Sequence, residues 1–211
     1  MELQEAIRTA GACRYYLPEP VGDDALRRVL DAARFAPSGG NRQPLRFVVV
    51  RNPATKRQLK EWYLVYWRGY LEGIRKGQVR VGGVPRLVEH ADHFANHLDE
   101  IPVLVVACAR LADVHPTDHQ LGRLSVVGGA SIYPAIQNLL LACREEGLGA
   151  CLTTLLCFEE AKVKELLAIP DDIATVAMIP IGHPRKPPKR LARRPLSEIA
   201  FLERYGEPLP A

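Results

Sequence analysis

The sequence predicts a fold of the α+β or α/β class built around one central sheet. Segments with helical periodicity alternate with short apolar segments, and the helical content is heavy. The 211 residues suit a single domain, since a domain has roughly 150 residues. Hydrophobic residues make up 47% of the chain and charged residues 25%, which is typical of a globular protein that buries a sizeable core.

The first half of the chain is predicted to begin with two helices, a strand and a long helix. A short helix spans about Leu3–Ala10, and a second begins at Asp23-Asp24, where a carboxylate suits an N-cap. Apolar residues at helical spacing mark the buried face of this second helix, at Leu26, Val29, Leu30 and Ala33. Leu45–Arg51 is predicted to be a strand. Asn52-Pro53 then suits an N-cap followed by proline at the first helical position, which starts the long helix.

The rest of the chain is predicted to continue the alternation and to end in an extended arm. Glycines mark an irregular passage over Gly73–Pro85. The longest helix is expected over Ser125–Glu146, with a bend at Pro134. The other predicted elements are, in chain order, a helix over Leu87–Leu98, a strand over Pro102–Ala109, a strand over Gly149–Thr154, a helix over Glu159–Ala168, a strand over Ile173–Ile181 and the arm over about 184–211.

Charge and cysteine usage narrow the function classes. The net charge is +4, and cations crowd one proline-rich segment, Arg185–Arg194. A nucleic-acid tail is one interpretation, but apolar residues beyond the segment favour a structured anion site, such as one for phosphate. The five cysteines are odd in number and form no CxxC pair, so reduced thiols in the cytoplasm are expected. The longest apolar run, Ile101–Ala109, is far short of the ~20 residues of a membrane span, and we expect neither a signal peptide nor a membrane partner.

The segment Ala36–Pro44 has the composition of a ligand-binding loop. Pro37 ends the preceding helix because its ring clashes with the preceding turn and lacks an N–H. Gly39-Gly40 allow the backbone to turn sharply and to approach a ligand closely. Asn41 and Gln43 offer amides that both donate and accept hydrogen bonds. An ordinary helix-to-strand loop is the alternative interpretation.

Four segments, in order along nearly the whole chain, resemble the FMN-dependent nitroreductase family. They are Arg14 with Pro20-Val21 and the capped helix; Ala36–Pro44; Ala135–Ala142 leading into Gly147–Gly149 and Thr153-Thr154; and Ile181–Pro184 followed by Arg193–Leu196. The ordered set is more specific than any one segment. The resemblance implies an α+β fold with a central mixed sheet flanked by helices, in an intertwined homodimer that binds two FMN molecules at its interface.

The resemblance also implies which residues bind the cofactor. They are Arg14, Pro37, Ser38, Gly39, Asn41, Gln43, Thr153, Thr154, Arg193 and Arg194. Pro37–Gly39 would lie against the flavin ring, and Thr153-Thr154 near its N5 and O4 atoms. Arg193 or Arg194 would hold the phosphate. Arg14 would lie near the N1/O2 edge, where a cation stabilises the anionic reduced flavin.

The N-terminal segment departs from the family motif. The family opens with R-R-S-x-R, whose first residues bind the FMN phosphate and ribityl chain, whereas Ala10–Arg14 keeps only the last arginine. A lost charge-assisted contact is worth roughly 1.5–3 kcal/mol. The basic cluster Lys189–Arg194 is the candidate that compensates, ahead of Arg8. FMN binding is therefore expected to be weakened, reshaped or lost.

The resemblance implies a flavin-dependent oxidoreductase. NADH or NADPH would reduce FMN, and a nitro, quinone or related electron-poor small molecule would take the electrons in a ping-pong cycle. No catalytic side chain and no metal are expected, because the flavin carries the chemistry, and nucleic acid is not an expected partner. Two alternatives stay open. One is a dehalogenating or flavin-fragmenting relative, and the other is a non-enzymatic dimer of the same fold with weakened FMN binding and a basic anion-binding arm.

Three further features have structural interpretations that we prefer. His90, His93 and His97 share a helix face at a spacing that suits zinc or copper, but their acidic neighbours favour a solvated flank. Cys151 is interpreted as a buried small hydrophobe rather than a reactive thiol. The aromatic run Trp62–Tyr70 suits either substrate stacking or the core and dimer interface, and its helical spacing favours the latter.

Overall fold

A four-stranded sheet lies at the centre of the protein, in a computed structural model that describes residues 1–79 and 85–210. Its strands are β1 (Leu45–Val50), β2 (Val103–Arg110), β3 (Gly149–Ala150) and β4 (Ile173–Gly182), in the order β1-β2-β4-β3. The α+β class is confirmed. The expected mixed sheet is wrong for the described strands, since every pairing among them is antiparallel. Two helices separate β1 from β2 and return the chain to the end where β1 stopped, so Val50 pairs with Leu104.

The described residues form helices α1 (Leu3–Thr9), α2 (Asp23–Arg34), α3 (Pro53–Arg75), α4 (Pro85–Asn96), α5 (Tyr133–Glu145) and α6 (Glu160–Leu167). The predicted cap of α3 is confirmed, because the Asn52 side chain accepts hydrogen bonds from the N–H groups of Ala54 and Thr55 at 2.9 and 3.1 Å. α3 has 23 residues and α5 has 13. The expectation that the helix ending near Glu146 is the longest is therefore wrong.

Both faces of the sheet are covered by helices. On one face, Val105 of β2 packs in a cluster with Val29 of α2 and Ile136 of α5. On the other face, Val106 packs in a cluster with Leu59 of α3. Because successive side chains of β2 enter opposite clusters, the strand is apolar without alternation, as the sequence predicted.

Helix α5 begins later than the sequence predicted. Residues 125–132 form turns, since the carboxylate of Asp118 accepts hydrogen bonds from Ser125 and from the backbone N–H groups of Val126 and Val127. Pro134 lies in the first turn of α5, where a missing N–H costs nothing. It therefore marks the start of the helix rather than a bend, and the expected bend is wrong.

Two other predicted elements differ from the structure. β3 stops at Ala150, and beyond it Thr153 pairs with Met178 through a single isolated bridge. In the predicted irregular passage, Gly73 belongs to α3 and Gly77, with φ 68°, follows the helix. Gly82 and Gly83 lie outside the described residues.

The C-terminal segment runs along the N-terminal one. The Arg185 N–H donates to the Tyr15 carbonyl at 3.0 Å, and the Leu191 N–H donates to the Arg8 carbonyl at 2.8 Å. These backbone hydrogen bonds place the basic cluster beside the segment that departs from the family motif.

Candidate functional site

A cleft of about 620 Å³ lies where the C-terminal segment crosses the N-terminal one. Residues 9–15, 147–152 and 184–193 form most of its walls, and α5 and Leu87 of α4 contribute the rest. The Cys13 N–H donates to the Ala150 carbonyl at 2.9 Å, which fixes the N-terminal segment against β3. The cleft thus brings together three segments that are far apart in the sequence.

The lining of the cleft is strongly cationic. Within the described part of the chain its charged residues are all arginines and lysines, at Arg14, Arg144, Lys186, Lys189 and Arg193. A cationic cleft with no carboxylate to neutralise it attracts anions, and the planar guanidinium groups suit phosphate oxygens in particular. The basic cluster of the sequence therefore forms part of a cleft wall, which favours an anion site over a nucleic-acid tail.

A largely apolar pocket of about 370 Å³ adjoins the cleft. The two cavities share Arg14, Leu87, Cys151 and Leu152. Aromatic rings form much of the remaining wall, at Tyr63, Trp67, Tyr70 and Phe94. We call this cavity the aromatic pocket. Together the two cavities form a groove that is cationic at one end and aromatic at the other.

A pair of hydroxyl groups lies in the wall of the aromatic pocket. The Tyr63 and Thr153 hydroxyl oxygens are 3.0 Å apart. Burial raises the pKa of Tyr63 to about 12, although the Thr153 hydrogen bond opposes the shift, so its hydroxyl keeps its proton at neutral pH. Each hydroxyl carries one hydrogen. Because one of the two hydrogens serves the mutual bond, the pair can donate one further hydrogen bond to a ligand.

The floor of the cleft depends on a close approach between Cys13 and Gly149. A Cβ atom at Gly149 would lie 2.6 Å from the Cys13 sulfur, so a side chain there would push the N-terminal segment away. Burial raises the pKa of the Cys13 thiol, and that of Cys151 to about 11. Both thiols are therefore protonated at neutral pH, which agrees with the interpretation of Cys151 as a small hydrophobe.

The Ala36–Pro44 loop lies away from this groove. Its Ser38 and Gln43 line a separate pocket of about 270 Å³ with residues of α2 and β1. Left-handed backbone occurs at Gly40 (φ 60°), Asn41 (φ 53°) and Gln43 (φ 51°). Such a conformation is ordinary for glycine, tolerated by asparagine and unusual for glutamine. The shape of the loop therefore depends on backbone conformations that most residue types disfavour.

Hydrogen bonds hold the loop in this shape. The Gln43 N–H donates to the Ser38 hydroxyl at 3.0 Å, and the Gln43 side-chain amide donates to the Asn41 side-chain oxygen at 3.2 Å. The Gly39 N–H donates to the Ser131 hydroxyl at 3.0 Å. Unusual backbone conformations persist where the surroundings fix them, and they cluster at ligand sites. This geometry favours the ligand-loop interpretation over an ordinary connection.

The turns that lead to Ser131 depend on Asp118. Its carboxylate is 4% exposed and accepts hydrogen bonds from the Ser125 hydroxyl at 2.7 Å, the Val126 N–H at 2.9 Å and the Arg123 guanidinium at 2.8 Å. The Ser125 hydrogen bond, supported by the others, holds the pKa of Asp118 well below its ordinary value. A carboxylate that stays charged at neutral pH therefore supports the segment that positions the loop.

Eight of the ten residues predicted to bind the cofactor form two groups in the structure. Those in the cleft or the aromatic pocket are Arg14, Thr153 and Arg193. Those in the loop are Pro37, Ser38, Gly39, Asn41 and Gln43, and none of them lines the cleft or the aromatic pocket. Thr154 and Arg194 line neither cavity. The pocket at the loop shares no residue with the groove.

Arg144 was missed by the sequence analysis. It lies in the last turn of α5 and lines the cationic cleft. A cation in the last turn of a helix is ordinary because it interacts favourably with the helix dipole. The available signal was its position, three residues before the Gly147–Gly149 motif that carries part of the family resemblance.

His90 and His93 lie in α4 and His97 directly follows it, and all three side chains are partly exposed. The Tyr15 hydroxyl hydrogen-bonds to Nδ1 of His90 at 2.6 Å, and the Tyr15 ring stacks on His93 with centroids 4.3 Å apart. His93 in turn stacks on His97 at 4.0 Å. Among the described residues, no cluster of histidine, cysteine and acidic side chains is arranged to hold a metal ion.

No helix in the described ranges 1–79 and 85–210 is both long enough and apolar enough to cross a membrane.

Comparison with known proteins identifies relatives along most of the chain. The sequence model of the nitroreductase family matches residues 7–183. A protein named NADH dehydrogenase from Thermus thermophilus is 33% identical over 198 residues, which cover 89% of each chain. One named 5,6-dimethylbenzimidazole synthase from Rhodospirillum rubrum is 29% identical over 208 residues, which cover 92% of this chain and 82% of that one. The solved structure of an NADPH:FMN oxidoreductase from Vibrio harveyi, complexed with NAD+, has a TM-score of 0.69 at 20% identity, covering 97% of this chain and 78% of that one.

Proposed function

The chain belongs to the nitroreductase family of flavin oxidoreductases, and on that premise we propose that it uses FMN to pass electrons from NADH or NADPH to an electron-poor small molecule. The proposed acceptor is a nitro compound, a quinone or a related molecule, reduced by a ping-pong mechanism. We also propose that the protein works as a homodimer in the cytoplasm. The similarity to the NADPH:FMN oxidoreductase supports the fold, and the cofactors named for that protein support the choice of FMN and a nicotinamide donor.

The observation that carries this proposal is the groove with one cationic and one aromatic end. FMN has a phosphate at one end and a planar ring system at the other, so the lining of the groove fits both ends of the molecule. Arg14 lies where the cleft meets the aromatic pocket. It therefore connects the two halves of the proposed site.

The residues of the groove would each do a different part of the work. In this proposal Lys189 and Arg193 hold the phosphate, because they line the cationic cleft. Arg14, which lines both cavities, would supply a cation that favours negative charge on a bound flavin ring. The hydroxyl pair of Tyr63 and Thr153 donates its free hydrogen to the ring edge. When bound, FMN supplies the two-electron chemistry that no side chain of the protein can supply.

The aromatic pocket suits a planar acceptor. Its wall includes Tyr63, Trp67 and Phe94, and Arg14 is its one charged lining residue within the described part of the chain. Aromatic walls favour planar apolar molecules, and Arg14 disfavours cations. We therefore propose that uncharged or anionic nitro compounds and quinones are better acceptors than cationic ones.

The Ala36–Pro44 loop supports a site shared between two subunits. Its backbone is shaped for a ligand, but its pocket is separate from the groove of the same chain. In the proposed homodimer the loop of one protomer contacts the flavin held by its partner. This arrangement explains why one chain contains two incomplete parts of a site.

The test is the visible spectrum of the purified protein, followed by steady-state kinetics. A flavin spectrum, release of FMN on denaturation, and parallel lines in double-reciprocal plots of NADH or NADPH oxidation with a quinone are the expected results. A colourless protein that FMN cannot reconstitute would overturn the proposal and favour the non-enzymatic dimer. Oxygen-dependent loss of the flavin absorbance, without turnover of the acceptor, would instead favour an activity like that named for the Rhodospirillum rubrum relative. Halide release from a halogenated phenol, again without quinone turnover, would favour the dehalogenating alternative.

A further inference from the structure

Gly11 stands in the segment where the family motif has arginines, and the C-terminal segment packs against it. Its φ lies outside the left-handed region, so the backbone itself does not require glycine. A Cβ atom at Gly11 would lie 3.0 Å from a methyl carbon of Leu191. The Leu191 N–H donates to the Arg8 carbonyl, which holds the C-terminal segment beside Gly11. A larger side chain at position 11 would therefore require the Leu191 side chain to move.

Arg144 enters the same cleft from the opposite wall. Its Nε donates to the Thr9 hydroxyl at 3.0 Å, two residues before Gly11. This bond directs the guanidinium group towards the segment that has lost its arginines. Neither of its terminal NH2 groups donates to any residue in the ranges that the structure describes. The terminal NH2 groups of Arg144 are therefore oriented hydrogen-bond donors that have no protein partner among the described residues.

The surroundings of Arg144 leave those donors available to an anion. Thr9 and Gly11 are uncharged, and the described lining of the cleft contains no acidic side chain that would compete for the guanidinium. The planar fork of an arginine suits two oxygens of one phosphate. We infer that Arg144 takes the place of the missing N-terminal arginine and binds the phosphate of FMN, an inference that rests on the proposed flavin function.

The experiment compares FMN with riboflavin, which has the same ring and ribityl chain but no phosphate. The full-length protein is stripped of flavin, and each ligand is titrated by the quenching of flavin fluorescence. The variant is Arg144→Met, which keeps an apolar stem of similar length. The matched control is Arg190→Met, because Arg190 lies in the same basic cluster but does not line the cleft. Thr9→Val tests the orientation of Arg144 without removing its charge.

We expect Arg144→Met to weaken FMN binding about tenfold while riboflavin binding stays unchanged. Thr9→Val should give a smaller loss of the same kind, and Arg190→Met should behave as the wild type. The inference would be overturned if Arg144→Met kept the wild-type ratio of FMN to riboflavin affinity, whether both affinities stayed unchanged or both fell equally. If Arg144→Met does not fold, a wild-type affinity ratio in Thr9→Val would overturn it instead. A wild-type protein that binds neither ligand would contradict the proposed function itself, so the two failures are distinguishable.

Discussion

The cationic cleft and the Ala36–Pro44 loop are built in opposite ways. The cleft gathers charged side chains from three distant segments, whereas the loop obtains its shape from the left-handed backbone of Gly40, Asn41 and Gln43. The family resemblance assigns both regions to the same cofactor, yet within one chain they line separate cavities. This separation is what the proposed homodimer would produce if each flavin site combined the cleft of one protomer with the loop of its partner.

The two regions also use glycine for different reasons. Gly149 in the cleft floor has no room for a side chain, because a Cβ atom would lie 2.6 Å from the sulfur of Cys13. Gly40 in the loop has room, since its nearest neighbour to such a Cβ atom is Arg42 at 3.9 Å, but its φ is 60°. One position needs a small volume, and the other needs conformational freedom.

The largest expected effect follows from this contrast. Gly149→Ala should destabilise the protein by about 1–3 kcal/mol because it overpacks the cleft floor. Gly40→Ala should cost about 1–2 kcal/mol of backbone strain, and Gly40→Asn should be nearly neutral because asparagine tolerates left-handed φ. Urea unfolding of these three variants and of Gly149→Asn measures the difference. Equal losses for Gly149→Asn and Gly40→Asn would contradict the distinction.

The next largest effect concerns the phosphate end of the cleft. Arg193→Ala should raise the dissociation constant of FMN about tenfold, because it removes a charge-assisted contact in the cleft. Arg185→Ala is the matched control, since Arg185 lies in the same segment but lines a different pocket with His93 and His97. Flavin titration of both variants checks this. Similar small effects at the two positions would show that the segment acts as a diffuse basic surface.

Local signals predicted much of the fold. The Asn52-Pro53 cap and the unbroken apolar run of β2 depend on neighbouring residues, and both are confirmed. The start of α5 was mispredicted because residues 126–132 form bends and turns, and Asp118, which lies well before them in the sequence, holds these turns through the N–H groups of Val126 and Val127. Pro134 was interpreted as a bend for the same reason.

The site was predicted less completely than the fold. Motif residues such as Arg14 and Arg193 were identified, and the structure brings both to the cleft. Arg144 was not, because its role depends on α5 packing beside Thr9, a contact between residues 135 positions apart. The separation of the loop from the groove was also beyond the sequence, since the motif residues do not show which of them line the same cavity.

A smaller effect on flavin affinity is expected from a variant that perturbs the loop but leaves the cleft unchanged. Ser131→Ala removes the acceptor of the Gly39 N–H and should destabilise the loop by about 1 kcal/mol. Flavin affinity should then fall several-fold, although Ser131 does not line the cleft or the aromatic pocket. Ser131→Thr keeps the hydroxyl and is the control. Unchanged flavin affinity in Ser131→Ala would indicate that the loop does not touch the cofactor.

The smallest expected effect is a change in how the stability of the protein responds to acidic pH. The pKa of Asp118 is lowered in the folded state, so its contribution to stability is complete above the unfolded value of about 4 and is lost as the pH falls towards the folded value. The stability difference between the wild type and Asp118→Asn should therefore narrow below about pH 4. Thermal unfolding across this pH range measures it. A constant difference would mean that the charge of Asp118 does not support the turns before Ser131.

The central proposal is that one flavin site is shared between two chains, and a mixed dimer tests it most directly. One chain would carry Arg14→Met and Arg193→Ala, which disable the cleft, and a second would carry Gly40→Val, which disables the loop. Each homodimer should bind FMN poorly. A heterodimer purified through two different tags should bind roughly one FMN per two chains, because one of its two symmetric sites combines an intact cleft with an intact loop. Full FMN binding by the Gly40→Val homodimer, or none by the heterodimer, would contradict the shared site.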